Sequence, residues 1–304
     1  MITRPEDKRT RPTEQSGSGT AIFLLILLSL IWGTSFILIK QGLKIFSPDE
    51  VGSLRVTAAC IFLLPFALTR LRELSKDDYF KLFVSGLMGI FIPAFLFAWA
   101  QTRLESSLAG ILNTLSPLWT MILGALFFGQ RFKGYAIVGI IISFGGAIIL
   151  TLSRSAGTIS GFNVYGLLIV IACALYGANL NWLKFKIHNL GSITITSVSL
   201  LLVGPLAATY LFGFTGFTSK LTEVPGAWKA FGFIVALALM STAIANLIFT
   251  KLLKISTPLF ASSVTYIMPI VAVMWGVLDG ETLLIGHFIG MVAILGGVYL
   301  ANRK

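Results

Sequence analysis

Within long apolar stretches of this chain stand a few side chains that hydrocarbon tolerates poorly: Ser35, Arg55, Gln101, Asn113, Asn179, Asn181, Asn246 and Thr265. A polar group without a partner is expensive in such surroundings, so these residues should face the interior of a helix bundle. There the amides and hydroxyls either bond between helices or touch a small polar ligand. Arg55 is the one cation inside an apolar run. It either snorkels to headgroups, pairs internally, or supplies counter-charge to an anionic or zwitterionic ligand. Trp32, Trp99, Trp119, Tyr176, Tyr266 and Trp275 join polar handles to large rings, suited to packing, to an interfacial belt, or to a cavity for a partly apolar solute. Acids are confined to the ends of runs, as at Glu105, Asp279 and Glu281. The buried carboxylate of raised pKa that usually couples a cargo to protons is therefore not expected. Cys60 and Cys173 read as packing thiols, and His188 and His287 have no metal-like neighbours in sequence, so neither metal nor cofactor is expected. No paired-acid, His-cluster or Ser–His set points to an enzyme.

What must position these residues is a membrane bundle. Of 304 residues 56% are apolar and 12% charged, and the mean hydropathy is +0.90. A soluble domain of that composition would aggregate. Ten runs long enough to cross about 30 Å of hydrocarbon are predicted at Ala21–Lys40, Glu50–Arg70, Lys81–Gln101, Ser106–Phe128, Gly134–Ser153, Val164–Leu183, Ser192–Phe214, Ala230–Thr250, Thr257–Leu278 and Leu284–Ala301. The first has no small-residue cleavage site and stays as a helix. Residues 1–19, polar and charged, are expected to form a disordered cytoplasmic tail. Arg70, Arg72, Lys76, Lys81, Arg131, Lys133, Lys184, Lys186, Lys251 and Lys254 then gather with both termini on one face, which predicts cytoplasmic N- and C-termini. The net charge of +11 is a topology signal and does not call for nucleic acid.

The chain repeats its punctuation. Pro117, Gly139 and Gly145-Gly146 recur as Pro269, Gly290 and Gly296-Gly297, and Trp32-Gly33 with Lys40 recurs 144 positions on as Tyr176-Gly177 with Lys184. Two five-helix units are predicted, 20–153 and 164–302, joined by a linker at 154–163. An odd number of crossings per unit inverts the second copy in the membrane, the arrangement from which alternating access arises, with the site between the halves. The paired glycines should let helices approach closely. The paired prolines should kink their helices as gating or cavity-shaping features.

At this point the chain resembles the drug/metabolite transporter superfamily, in particular its ten-helix EamA-like members. The likeness rests on Trp32-Gly33-Thr34-Ser35-Phe36, Arg55, Ser116-Pro117, Gly129-Gln130-Arg131 and the fifth-run glycines, with Pro269, Gly280-Glu281 and the tenth-run glycines repeating the latter part. It departs from the usual pattern at Gln130, where the second copy has Glu281. The resemblance implies an all-α inner-membrane carrier whose cavity is lined by the first, third, fourth, sixth, eighth and ninth helices, with the fifth and tenth at the periphery. Its substrate-binding residues are then expected among Ser35, Arg55, Trp99, Asn113, Trp119, Tyr176, Asn179, Asn246 and Tyr266. The expected activity is export of small organic metabolites such as amino acids, facilitative or by exchange, from a monomer or weak dimer whose partners are the substrate and the lipid bilayer. The alternatives are a proton-coupled multidrug or metabolite efflux pump and a channel.

Overall fold

The computed structural model describes residues 18–129, 134–152, 164–187, 189–255 and 264–302, which fold almost wholly into helices. The helices are α1 (Ser18–Leu43), α2 (Pro48–Leu68), α5 (Gly134–Leu152), α6 (Tyr165–Lys186), α7 (Ser192–Phe214), α9 (Val264–Leu278) and α10 (Ile285–Asn302). Three more are interrupted. Helix α3 runs through Lys76–Gly86, a π segment Leu87–Phe91 and Ile92–Ala100. Helix α4 joins Ser106–Leu112 to Ser116–Phe128 through a 3-10 turn at Asn113–Leu115. Helix α8 comprises Ala227–Leu237, a π segment Ala238–Ile244 and Ala245–Ile255. The predicted crossings fall on these elements in order; seven are long and apolar enough to span, and α5, α9 and α10 are shorter apolar helices among the described residues. Residues 1–17 of the polar tail, Gln130, Arg131, Lys133, the linker 154–163, His188 and the start of the ninth run lie outside the described residues, as does the side chain of Tyr266, while Ser18 and Gly19, expected in the tail, already belong to α1.

Local chemistry sets several ends. Ser47 and Glu50 form a capping box that starts α2, and Ser75 with Asp78 forms another that starts α3 five residues before its apolar run. Gly280 ends α9 at φ 84, with Glu281 N donating to Gly276 O and Gly280 N to Val277 O. This Schellman turn reverses the chain so that the next side chain points back at the bundle. Gly129 ends α4 in the same left-handed conformation, at φ 65.

The packing repeats when the copies are exchanged. Helix α1 lies on α9 as α4 lies on α6, α1 meets α8 as α3 meets α6, and α2 with α7 and α5 with α10 form self-matching pairs. The α5–α10 contact fixes the sense of the symmetry. A methyl group on Gly146 would lie 2.8 Å from Gly290 O, one on Gly290 2.8 Å from Gly146 O, and one on Gly297 2.5 Å from Gly139 O. Pairing 146 with 290 and 139 with 297 requires antiparallel helices, and swapping equivalent glycines returns the same pairs. The copies are therefore inverted about a two-fold axis perpendicular to the helices. Cys60 of α2 packs on Gly204 of α7, residues related by the same 144-position offset. Gly145 and Gly296, expected to share in this packing, face open space. The outer faces of α5 and α10 carry Ile141, Ile148, Ile289 and Val292 toward lipid, as peripheral helices should.

Candidate functional site

The two π segments occupy equivalent places in the copies, at Leu87–Phe91 and Ala238–Ile244, and polar contacts gather within the second and beside the first. A π turn widens the backbone ladder locally and recurs at functional positions. Thr242, within the second, accepts a hydrogen bond from Arg55 Nε at 2.7 Å, while Asn246 Nδ2 donates to the Thr242 carbonyl at 2.7 Å. Ser241 beside it meets Ser35, Oγ to Oγ, at 2.6 Å, and its carbonyl accepts from Trp32 Nε1 at 3.1 Å. On the first π segment's side, Ser85 Oγ donates to Asn179 Oδ1 at 2.7 Å, and the Asn179 amide lies against Gly89.

Tyr176 connects two groups. It is close enough to Arg55 and to Cys173 to interact electrostatically with both, and its ring stacks on Phe97 with centroids 6.1 Å apart. Cys173 Sγ lies 3.7 Å from the Asn113 carbonyl. That carbonyl sits four residues before Pro117, which has no N–H to donate to it, and it accepts instead from the Ser116 N–H of the 3-10 turn. Ser116 Oγ also donates to it, at 2.8 Å. The proline thus stands at the start of the second segment of α4, after the 3-10 turn, whereas Pro269 lies inside continuous α9. Asn113 Nδ2 points at Met268 Sδ, 3.9 Å away, a weak acceptor that leaves the amide underused. Trp119 packs edge-on against Phe144, and its Nε1 has no partner.

Arg55, Tyr176, Asn246 and Ser35 are therefore drawn together around Thr242 and Ser241, and Asn113 joins them through Cys173 and Tyr176. Asn179 sits beside the first π segment. Trp99 differs from expectation. It is 42% exposed in the last turn of α3, its Nε1 donating to Asp49 Oδ1 at 3.0 Å. Asn181 bonds across to Thr120 O at 2.8 Å, an interhelical role. Thr242 and Ser241 escaped notice in the sequence, since no residue pattern marks a π turn, as did Ser85 just before the first π segment.

On the face where α1 ends, ionic links cross between the copies. Lys40 Nζ lies 2.8 Å from Asp279 Oδ2 and 2.8 Å from Glu281 Oε1. Glu281 also accepts from Ser106 N at 2.8 Å, Ser106 Oγ at 2.6 Å and Ser107 N at 3.1 Å. A carboxylate at the first turn of α4 is favoured by the exposed amides there. Burial would push the Glu281 carboxyl up, but Lys40, Ser106 and Ser107 outweigh it and hold it down at about 2. Lys40 likewise holds Asp279 below the usual carboxylate range. Lys220 pairs with buried Glu50 at 2.7 Å on the same face. In the other copy the equivalent positions are Lys184 and Gln130, an amide where the latch needs an acid.

Relatives place this architecture. A transporter of Archaeoglobus fulgidus, described as uncharacterized, is 26% identical over 287 residues, covering 92% of this chain and 98% of its own. The inner membrane transporter YedA of Escherichia coli K12, also described as uncharacterized, is 27% identical over 289 residues, covering 91% and 89%. A solved crystal structure superposes with a TM-score of 0.63 over 93% of this chain and 96% of its own, at 17% identity, a likeness of fold. The description of the EamA-like transporter family matches twice, at residues 19–152 and 164–303. The chain is a multi-pass membrane protein and belongs to the EamA-like transporter family.

Proposed function

We propose that this transporter is an inner-membrane carrier that exports small organic metabolites, amino acids or related compounds, by alternating access in a facilitative or exchange mode, with both termini cytoplasmic. The observation that carries the reading is the inverted pairing of Gly146 with Gly290 and Gly139 with Gly297. Copies related in this way can exchange their packed and open states while the site between them stays in place. The polar group around Thr242 and Tyr176 draws on both copies, as such a site requires. Latches across one face support a form closed there, and the π segments in α3 and α8, with Pro117 and Pro269, supply places to bend. Acids at helix ends favour exchange over proton coupling.

Reconstitution in liposomes tests the reading. Preloading with a mixture of unlabelled amino acids should accelerate uptake of a labelled one, saturably, and Asn113→Ala should weaken that uptake while the protein stays folded. Flux that rises linearly with concentration and shows no stimulation from the far side would refute a carrier.

A further inference from the structure

Among the described residues Arg55 is a cation with no carboxylate paired to it. Among the described residues its one hydrogen bond is Nε to Thr242 Oγ1, and its one electrostatic neighbour is the neutral phenol of Tyr176. Glu50, on the same helix and about 7.5 Å away along its axis at 1.5 Å per residue, is engaged by Lys220 Nζ and by Ser47 N, both at 2.7 Å. The remaining acids lie in the tail, the loops and the helix ends. A guanidinium in such surroundings is costly unless its forked donors meet an anion. With Nε held by Thr242, the two terminal nitrogens remain as the fork, and the side chain keeps part of its surface accessible.

We infer that Arg55 anchors the carboxylate of the transported compound, and that Thr242 is a positioning residue that sets the plane of the fork. This rests on the carrier reading of the same site and specifies its substrate class. One cation surrounded by neutral amides, hydroxyls and rings balances a single negative charge, which selects a carboxylate over a dianionic phosphate. A carboxylate also matches the fork with two parallel hydrogen bonds. Tyr176, Trp32 and the Asn113 amide then meet the remainder of the solute.

The test uses the full chain and matched probes: phenylacetate with phenylacetamide, isocaproate with isocaproamide, and phenylalanine with phenylalaninamide. At least one carboxylate should raise the melting temperature and drive counterflow, and its amide should do neither. Arg55→Gln should weaken carboxylate binding about ten- to a hundredfold, the loss expected for charge-assisted hydrogen bonds. Arg55→Lys should fold, keep the charge and recover part of the affinity. Thr242→Val should raise KM several-fold with little change in kcat, and Thr242→Ser should restore it. Amides that bind as well as acids, carboxylates that all fail to bind, or an unchanged KM in Arg55→Lys and Thr242→Val would each overturn the anchor. Because thermal shift reads binding without flux, a carboxylate that binds through Arg55 yet leaks linearly through liposomes would sink the carrier reading and leave the anchor standing.

Discussion

Replacing Glu281 with Gln keeps the shape of the latch and removes its charge. The side chain is 2% exposed and accepts from Lys40, Ser106 and Ser107. Its carboxyl, held at about 2 against an ordinary 4.5, corresponds to roughly 3 kcal/mol at about 1.4 kcal/mol per pH unit. Lys40 is 28% exposed and retains Asp279, so screening and the remaining pair reduce the loss to about 2 kcal/mol. For a protein of this size that lowers the melting temperature by about 3 °C, at roughly 2.1 cal/mol/K of unfolding entropy per residue. A thiol-reactive dye supplies the assay in a Cys60→Ala background, since Cys60 is partly exposed whereas Cys173 is fully buried until the bundle opens. Glu223→Gln, an exposed acid on a short connecting helix, should move the transition by under about 0.5 kcal/mol. Combined with Lys40→Met, the Glu281 change should cost clearly less than the sum of the two alone. A melting temperature within 1 °C of the parent, at about the precision of such scans, would refute the assignment of Glu281 as the centre of a cross-copy latch.

The same carboxylate sets a pH dependence. Its pKa is depressed in the folded state, so its stabilisation is fully present above about 4.5 and is lost as pH falls toward 2; the stability gap between parent and Glu281→Gln, followed by thermal scans, should be flat at neutral pH and close over that interval. Gly146→Leu should separate α5 from α10, because even a methyl there meets Gly290 O at 2.8 Å, whereas Gly145→Ala, with open space around it, should leave the elution profile and melting temperature unchanged. Gly177→Ala should destabilise the α4–α6 contact by about 1–3 kcal/mol, since its new carbon would stand 2.6 Å from Thr120 N, and thermal unfolding would register it.

Much of this protein is legible before folding is considered. Apolar runs declare membrane helices because backbone groups in hydrocarbon must bond within their own segment. The recurrence of Pro117 as Pro269 and of Gly146 as Gly297, with five runs per copy, implies inversion by counting alone. Arg55, Tyr176 and Asn246 stand out because polar atoms in such runs need partners. Which partners they find is another matter. Nothing in the local sequence says that Thr242 will receive Arg55, since a π turn in α8 directs that hydroxyl and it forms only against packed neighbours. Gly145 and Gly146 are adjacent and chemically identical, yet successive residues on a helix point about 100° apart, so only one meets α10. Trp99 resembled a cavity residue by its span, and the register of α3 carried it to the rim beside Asp49. Lys40 and Glu281 are 241 residues apart in the chain, and their pairing waits on the turn at Gly280 and on the docking of α9 against α1. Composition and periodicity act through short-range chemistry that each residue carries with it, whereas these pairings depend on distances that exist only once the two copies have closed on each other.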